Sequence, residues 1–121
     1  MTANLPTPLT TAYRHALAVA AATGGAISAA AFMAFGTGSK AYSPDTDTAL
    51  DAEFARIPLA SVVTGPELVA SASLTGTLLG DRAVREIGIF TASGVLMGRK
   101  VIRPIELEPF GLIDIEITFE Y

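Results

Sequence analysis

Ile113-Asp114-Ile115-Glu116-Ile117-Thr118-Phe119-Glu120-Tyr121 alternates apolar and polar side chains over nine residues without a break. Successive side chains of an extended strand point to opposite faces. Ile113, Ile115, Ile117, Phe119 and Tyr121 are therefore predicted to face a core, and Asp114, Glu116, Thr118 and Glu120 to face water. A helix would scatter both sets around its circumference. The stretch predicts a half-buried strand of the kind found in antiparallel sheets with one wet face.

Upstream, Val84–Phe90 and Val95–Ile102 are two further apolar runs joined by Thr91-Ala92-Ser93-Gly94. A short connection containing glycine predicts a hairpin. Glu106 and Glu108, alternating with Ile105 and Leu107, are predicted to lie on the outer side of a strand. Ile57–Val63 and Glu67–Leu79 read as extended segments separated by the turn Thr64-Gly65-Pro66, as in a meander. A short helical turn is predicted over Thr48–Phe54, with Glu53 and Arg56 within reach of one another before Pro58 disfavours helix at Ile57. Gly36–Asp51, rich in Gly, Ser, Thr, Asp and Pro, reads as an exposed loop. Ala26–Phe35 reads as a buried strand.

The first element predicted is a helix from Pro8 to Ala22, with Thr7 as its N-cap and Gly24-Gly25 as its stop. Leu9, Tyr13, Ala16, Leu17 and Ala20 share one face of it, and Arg14 and His15 fall outside that face. The fold class that follows is α+β: an N-terminal helix packed on a mainly antiparallel β-sheet or sandwich, with residues 1–121 as one structural domain.

Half of the 121 residues are hydrophobic and 17% are charged, against about 25% charged in an average soluble domain. So little polar material leaves apolar surface for contact with another subunit. The net charge of −4 and the absence of a basic cluster argue against nucleic-acid binding, which needs clustered Lys and Arg to displace counterions. The sequence contains no cysteine, which excludes disulfides, a thiol nucleophile and thiolate metal sites, and suits a reducing cytoplasm.

Ala16–Ser39 carries no charge and is long enough to span a bilayer. Its alanine-rich composition and central Thr23-Gly24-Gly25 argue for a break between two elements and against a span. The related alternative is a cleaved secretory leader, with Arg14 before Ala-Leu-Ala-Val-Ala and small residues near Ala29–Ala31 as the cleavage region. On that reading the chain is a secreted, β-rich module binding a small ligand or sugar.

No residue constellation predicts catalysis. His15 is the sole histidine, has no nucleophile elbow or zinc spacing beside it, and is predicted on the helix surface. Asp45, Asp47, Asp51 and Glu53 lack the twelve-residue ladder of a calcium loop and are read as turn and cap residues. Gly36-Thr37-Gly38 and Gly24-Gly25 lack the spacing of phosphate-binding loops and are read as turns. No cofactor or metal site is predicted. Glu86 stands apart, as a carboxylate in an apolar strand that needs partners if it is buried. Backbone N–H groups of the Gly36–Ser39 loop or an arginine are the predicted donors. Gly88, between Ile87 and Ile89, marks a close backbone approach or a bulge.

Two segments taken together resemble a known family: Leu50-Asp51-Ala52-Glu53-Phe54-Ala55-Arg56 after a Gly-rich acidic loop, and Arg85-Glu86-Ile87-Gly88-Ile89-Phe90 leading to Ser93-Gly94-Val95-Leu96. Their order and spacing resemble the N-terminal module of bacteriophage tail-collar fibre proteins, from about Thr10 to Tyr121. The residues that carry the motif are Leu50, Glu53, Arg56, Arg85, Glu86, Ile87, Gly88, Ile89, Phe90 and Gly94. The family loop often reads Gly-Asp-Gly where this sequence has Gly36-Thr37-Gly38.

The resemblance implies a non-enzymatic structural protein of a phage or phage-like tail, assembled in the bacterial host cytoplasm and placed at the baseplate, collar or fibre attachment. Family members commonly continue into a long fibre that this sequence does not contain, so an adaptor, hub or collar part is expected before a receptor-binding fibre. The implied partners are copies of itself, as a trimer or larger ring, and other tail or baseplate proteins.

Overall fold

The computed structural model describes residues 2–121, which form eight strands and two helical segments. In chain order these are β1 (Thr2–Pro6), α1 (Thr11–Thr23), β2 (Ala30–Gly36), β3 (Glu53–Pro58), β4 (Ala60–Thr64), β5 (Glu67–Thr75), the single turn α2 (Gly76–Leu79), β6 (Val84–Thr91), β7 (Leu96–Ile105) and β8 (Leu112–Glu120). The strands build two four-stranded sheets. Sheet I has the order β1-β8-β5-β4 and sheet II the order β3-β2-β6-β7.

The alternating stretch forms β8, and Ile113, Ile115, Ile117 and Phe119 are buried as its pattern predicts. Tyr121 differs. It lies just past the strand, half exposed, with its ring edge-on to Tyr13 at 6.0 Å and its hydroxyl hydrogen-bonded to that of Tyr13. From sheet II, Met33, Phe35, Ile87, Ile89 and Met97 meet Ala70, Leu74 and the β8 residues of sheet I in one shared core. Two sheets burying their inner faces against one another are the arrangement of a sandwich. The predicted β6–β7 hairpin is present, with Gly94 at φ 94 in its turn.

Several boundaries move, each for a local reason. Thr7 is not the cap of α1, because residues 2–6 are strand: β1 pairs in parallel with β8 and Thr7 N–H still donates to Thr118 O. Thr10 takes the cap instead, its hydroxyl accepting from Tyr13 N–H while its own proton goes to Leu96 O. Gly24 closes the helix at φ 70. The segment that the leader reading would remove, up to Ala29–Ala31, contains β1 at Thr2–Pro6 and α1 at Thr11–Thr23. At 13 residues α1 is too short to span a bilayer, and no described helix is long and apolar enough to do so. Of its predicted apolar face, Tyr13 and Ala20 are buried, Leu17 is half-buried and Ala16 is exposed, so the helix rests lightly on sheet II.

The predicted strand from Ala26 begins only at Ala30, and Ile27 is exposed. The predicted helical turn over Thr48–Phe54 is instead the approach to β3. There the pairing slips by one residue, Phe35 facing Ala55 and Gly36 facing Glu53, which leaves Phe54 as a bulge. A bulge reverses the alternation locally, so Glu53 and Arg56 reach the same side and pair at 2.9 Å without a helix. Ile57–Val63 is not one strand either. The chain leaves sheet II after Pro58 and enters sheet I at Ala60, with Leu59 N–H held by Ala31 O at the crossing. Glu67–Leu79 ends as strand at Thr75, whose hydroxyl caps α2. Glu106 and Glu108 are exposed but lie beyond β7, in the connection to β8.

Candidate functional site

The outer face of sheet II carries a second, smaller apolar cluster of Ala34, Phe90, Leu96 and Leu50. Three of these come from strands; Leu50 comes from the long connection between β2 and β3. That connection, predicted to be exposed, folds back over the sheet, and the structure gives two reasons for its ordering.

The first is a buried charge centre. Glu86 on β6 and Arg99 on β7 are almost wholly excluded from solvent, at 0% and 1% relative exposure. Such a pair is tolerated only when nearly every hydrogen-bonding group finds a partner. Here the partners are supplied by the connection. Glu86 Oε2 accepts from Gly38 N–H at 3.0 Å and Ala52 N–H at 2.7 Å, and Oε1 accepts from Asp51 N–H at 2.8 Å and Arg99 Nε at 2.7 Å. Arg99 Nη1 donates to Asp47 Oδ2 at 3.2 Å, and Nη2 to Lys40 O at 2.6 Å. Asp47 Oδ2 also accepts from Ser43 N–H at 3.0 Å. Among the described residues no buried side-chain nitrogen or oxygen lacks a partner.

The second is close approach. A Cβ at Gly36 would stand 2.5 Å from Glu86 Oε2, and one at Gly38 would stand 2.4 Å from Asp51 Cβ. Gly36-Thr37-Gly38 is therefore not a free turn: its glycines let the backbone pass against the carboxylate. Gly88 does the same on β6, where a Cβ would meet Leu50 Cδ1 at 2.4 Å. The close backbone approach expected there is the seat of Leu50.

The connection is also tied to the start of α1. Tyr42 Oη donates to Pro8 O at 2.6 Å, Thr11 N–H donates to Pro44 O at 2.9 Å, and Thr11 Oγ1 bonds Asp45 Oδ1 at 3.1 Å. Burial pushes the Tyr42 phenol up to about 12. A backbone hydrogen bond at Arg99 acts the other way, the Asp47 carboxylate adds to the rise and the Arg99 charge opposes it. Burial, with the hydrogen bond to Tyr13, likewise raises the Tyr121 phenol.

The two sequence segments singled out above meet at this site. Leu50 packs with Phe90, and the backbone of Asp51 and Ala52 binds Glu86. Arg56 holds Glu53 and lays its guanidinium 4.0 Å from the centre of the Phe90 ring. Ile87 and Ile89 face the main core, Arg85 is exposed, and Gly94 serves the hairpin turn. Two participants were not singled out in the sequence, Arg99 and the pairing role of Asp47. For Arg99 a signal existed: counting back across the four-residue turn sets position 86 against position 99. Bulges move the register so that Gly88 faces Arg99 and Glu86 faces Val101, leaving the charges diagonal.

Chemically the site holds a loop in place. A depression of about 250 Å³ above it is lined by Lys40, Asp47, Asp51 and Arg99 among others. The carboxylates and guanidinium there are already engaged within the fold. No group of three or more His, Asp or Glu side chains is placed to hold a metal among the described residues. His15 is exposed on α1.

A family model described as phage tail-collar fibre protein, N-terminal, matches residues 1–98. The matched region contains all ten motif residues and the whole β2–β3 connection, includes residues 1–9, and stops one residue before Arg99. No curated protein and no solved structure matches the chain.

Proposed function

Because the chain belongs to the phage tail-collar fibre protein N-terminal family, and is thereby a structural protein of a phage tail, we propose that it serves at the baseplate, collar or fibre attachment. It works there by assembling with copies of itself and with neighbouring tail proteins, after synthesis in the bacterial host cytoplasm. Residues 1–121 act as one structural unit, without a catalytic step, cofactor or nucleic-acid ligand.

The observation that carries this reading is the use made of the family motif. Leu50, Glu86, Gly88 and Phe90 clamp the β2–β3 connection onto sheet II, and Glu53 and Arg56 pair on β3 beside the Phe90 ring. A motif whose one buried charge, Glu86, is fully satisfied within the fold supports a scaffold role, in which the connection is held as a fixed surface for other proteins. The unusually apolar composition supports self-association.

The experiment is to purify tails or tail-like particles from producing cells and cross-link them. The chain is expected in the particle, at fixed stoichiometry, with cross-links to itself and to other tail proteins. A particle that assembles without it, or that contains it with no cross-link to any tail protein, would overturn the proposal.

A further inference from the structure

The two sheets have four edge strands, and an unpaired edge is a template for another chain unless something blocks it. β3 carries Glu53, Arg56 and Pro58, and β7 carries Lys100, Arg103 and Pro104. β1 ends on Pro6. β4, Ala60-Ser61-Val62-Val63-Thr64, has neither charge nor proline, and all five of its residues are exposed. The charge-free run extends from Ile57 to Pro66. Val62 and Val63 point to opposite faces and are 65% and 69% exposed. The strand's substantial packing is against β5 alone, so it overhangs the sandwich.

We infer that β4 is a self-pairing interface, at which a second copy of this chain adds its own β4 antiparallel across a two-fold axis. This rests on the self-assembly reading above and specifies one contact within it.

The register follows from the hairpin. Thr64 pairs with Glu67 across Gly65-Pro66, with Gly65 at φ 58. In a two-residue hairpin the closing pair exchanges both backbone hydrogen bonds, and the ladder then alternates. Thr64, Val62 and Ala60 thus bond toward β5, while Ser61 and Val63 present their N–H and C=O groups on the open edge. Antiparallel pairing centred on Val62 sets each Ser61 against the other copy's Val63. It also brings the two Val62 residues together as a non-hydrogen-bonded pair, the closer of the two spacings.

Val62 faces Val69 on β5, so the joined sheet carries four valines side by side, a favoured β-branched cross-strand set. The occupant is argued from charge. A two-fold axis through the centre of β4 brings like residues of the two copies together near it, where a charge would meet its own copy; this edge has none. A charged strand from another protein would find no counter-charge on it.

The absence of cysteine makes a direct test available on the full chain. Val62→Cys places two thiols across the axis at about 4.5 Å between Cα atoms, within the range a disulfide bridges. Under mild oxidation it should form covalent dimers at least about tenfold faster than Val19→Cys, an exposed position on α1. Light scattering on the unmodified protein should give an even number of copies, and Val62→Lys should halve that mass with the circular dichroism spectrum unchanged.

Equal cross-linking rates at positions 62 and 19 would overturn the inference, as would a mass unaltered by Val62→Lys. A trimer or other odd number would overturn it too, but would leave self-assembly standing. A monomer that pairs only with a different tail protein would remove the second copy as occupant.

Discussion

Glu86 and Arg99 are charges placed where water does not reach, and what they hold is a loop that has little else to hold it. Replacing a buried pair by apolar groups can cost little, but removing one member strands the other. Glu86→Ala leaves the Arg99 guanidinium with Asp47 and Lys40 O alone and frees the N–H groups of Gly38, Asp51 and Ala52. The expected loss is about 3–5 kcal/mol, more than the 1–3 kcal/mol of an ordinary unsatisfied buried group. Urea unfolding would measure it, and a loss of a few tenths would mean that the loop does not depend on the carboxylate.

Tyr42 gives a pH signature for the same loop. Its phenol titrates near 10 in an unfolded chain and is raised to about 12 in the fold. The folded state therefore keeps the proton longer, and the stability this contributes is full below pH 10 and lost as pH rises through 12. Melting temperatures from pH 9 to 12 should fall less steeply in Tyr42→Phe than in the unmodified protein. Parallel curves would show that the phenol is not linked to folding.

Elements with a strong local period were legible in the sequence. β8 announces itself through nine alternating residues, and β6 and β7 through two apolar runs about a glycine turn. At β8 the alternation makes a sharp prediction, because a one-residue slip would invert every side chain. Ile115→Asp, at a position with no exposure, should abolish soluble folding, whereas Glu116→Lys on the opposite face should shift the melting temperature by no more than a few degrees. Similar losses from both would contradict the register.

Elements decided by distant partners were not legible. β1 is five residues with no alternation, and its ladder is more than a hundred positions away. The break between β3 and β4 is set by a change of sheet, and the coil that was read as a helical turn is drawn into a bulged strand by its pairing with β2. At the site the carboxylate that needed partners and the glycine that needed room were both readable. Arg99 was legible only through the hairpin count, and the bulges that set it diagonal to Glu86 leave no mark in the sequence.

At the scale of the whole molecule, the two sheets differ in what they show the outside. Sheet II is covered on its outer side by the β2–β3 connection, α1 lies against its edge strand β7, and its edges carry charge and proline. Sheet I keeps an open outer face of short polar and acidic side chains, among them Ser71, Ser73, Asp114 and Glu116, and ends in the unguarded β4. The open sheet is the side from which assembly is expected to proceed. Its strand order has a further effect: β8 lies between β1 and β5, so the first strand described and the last are neighbours.

That adjacency sets a clock during translation. β1 leaves the ribosome with no strand to pair with until residues 112–120 have been made, an interval of about 5–20 s at ordinary elongation rates of 5–20 residues per second. Throughout it β5 is open along one side and the core lacks Ile113, Ile115, Ile117 and Phe119. A chain halted at residue 111 can close neither sheet I nor the sandwich, and in cells it should be degraded within minutes while the 121-residue chain accumulates, which a pulse-chase comparison would read directly. A stable 111-residue product would show that closure does not wait for β8. The parallel ladder between β1 and β8 thus ties the closing of sheet I to synthesis of the chain as far as residue 120.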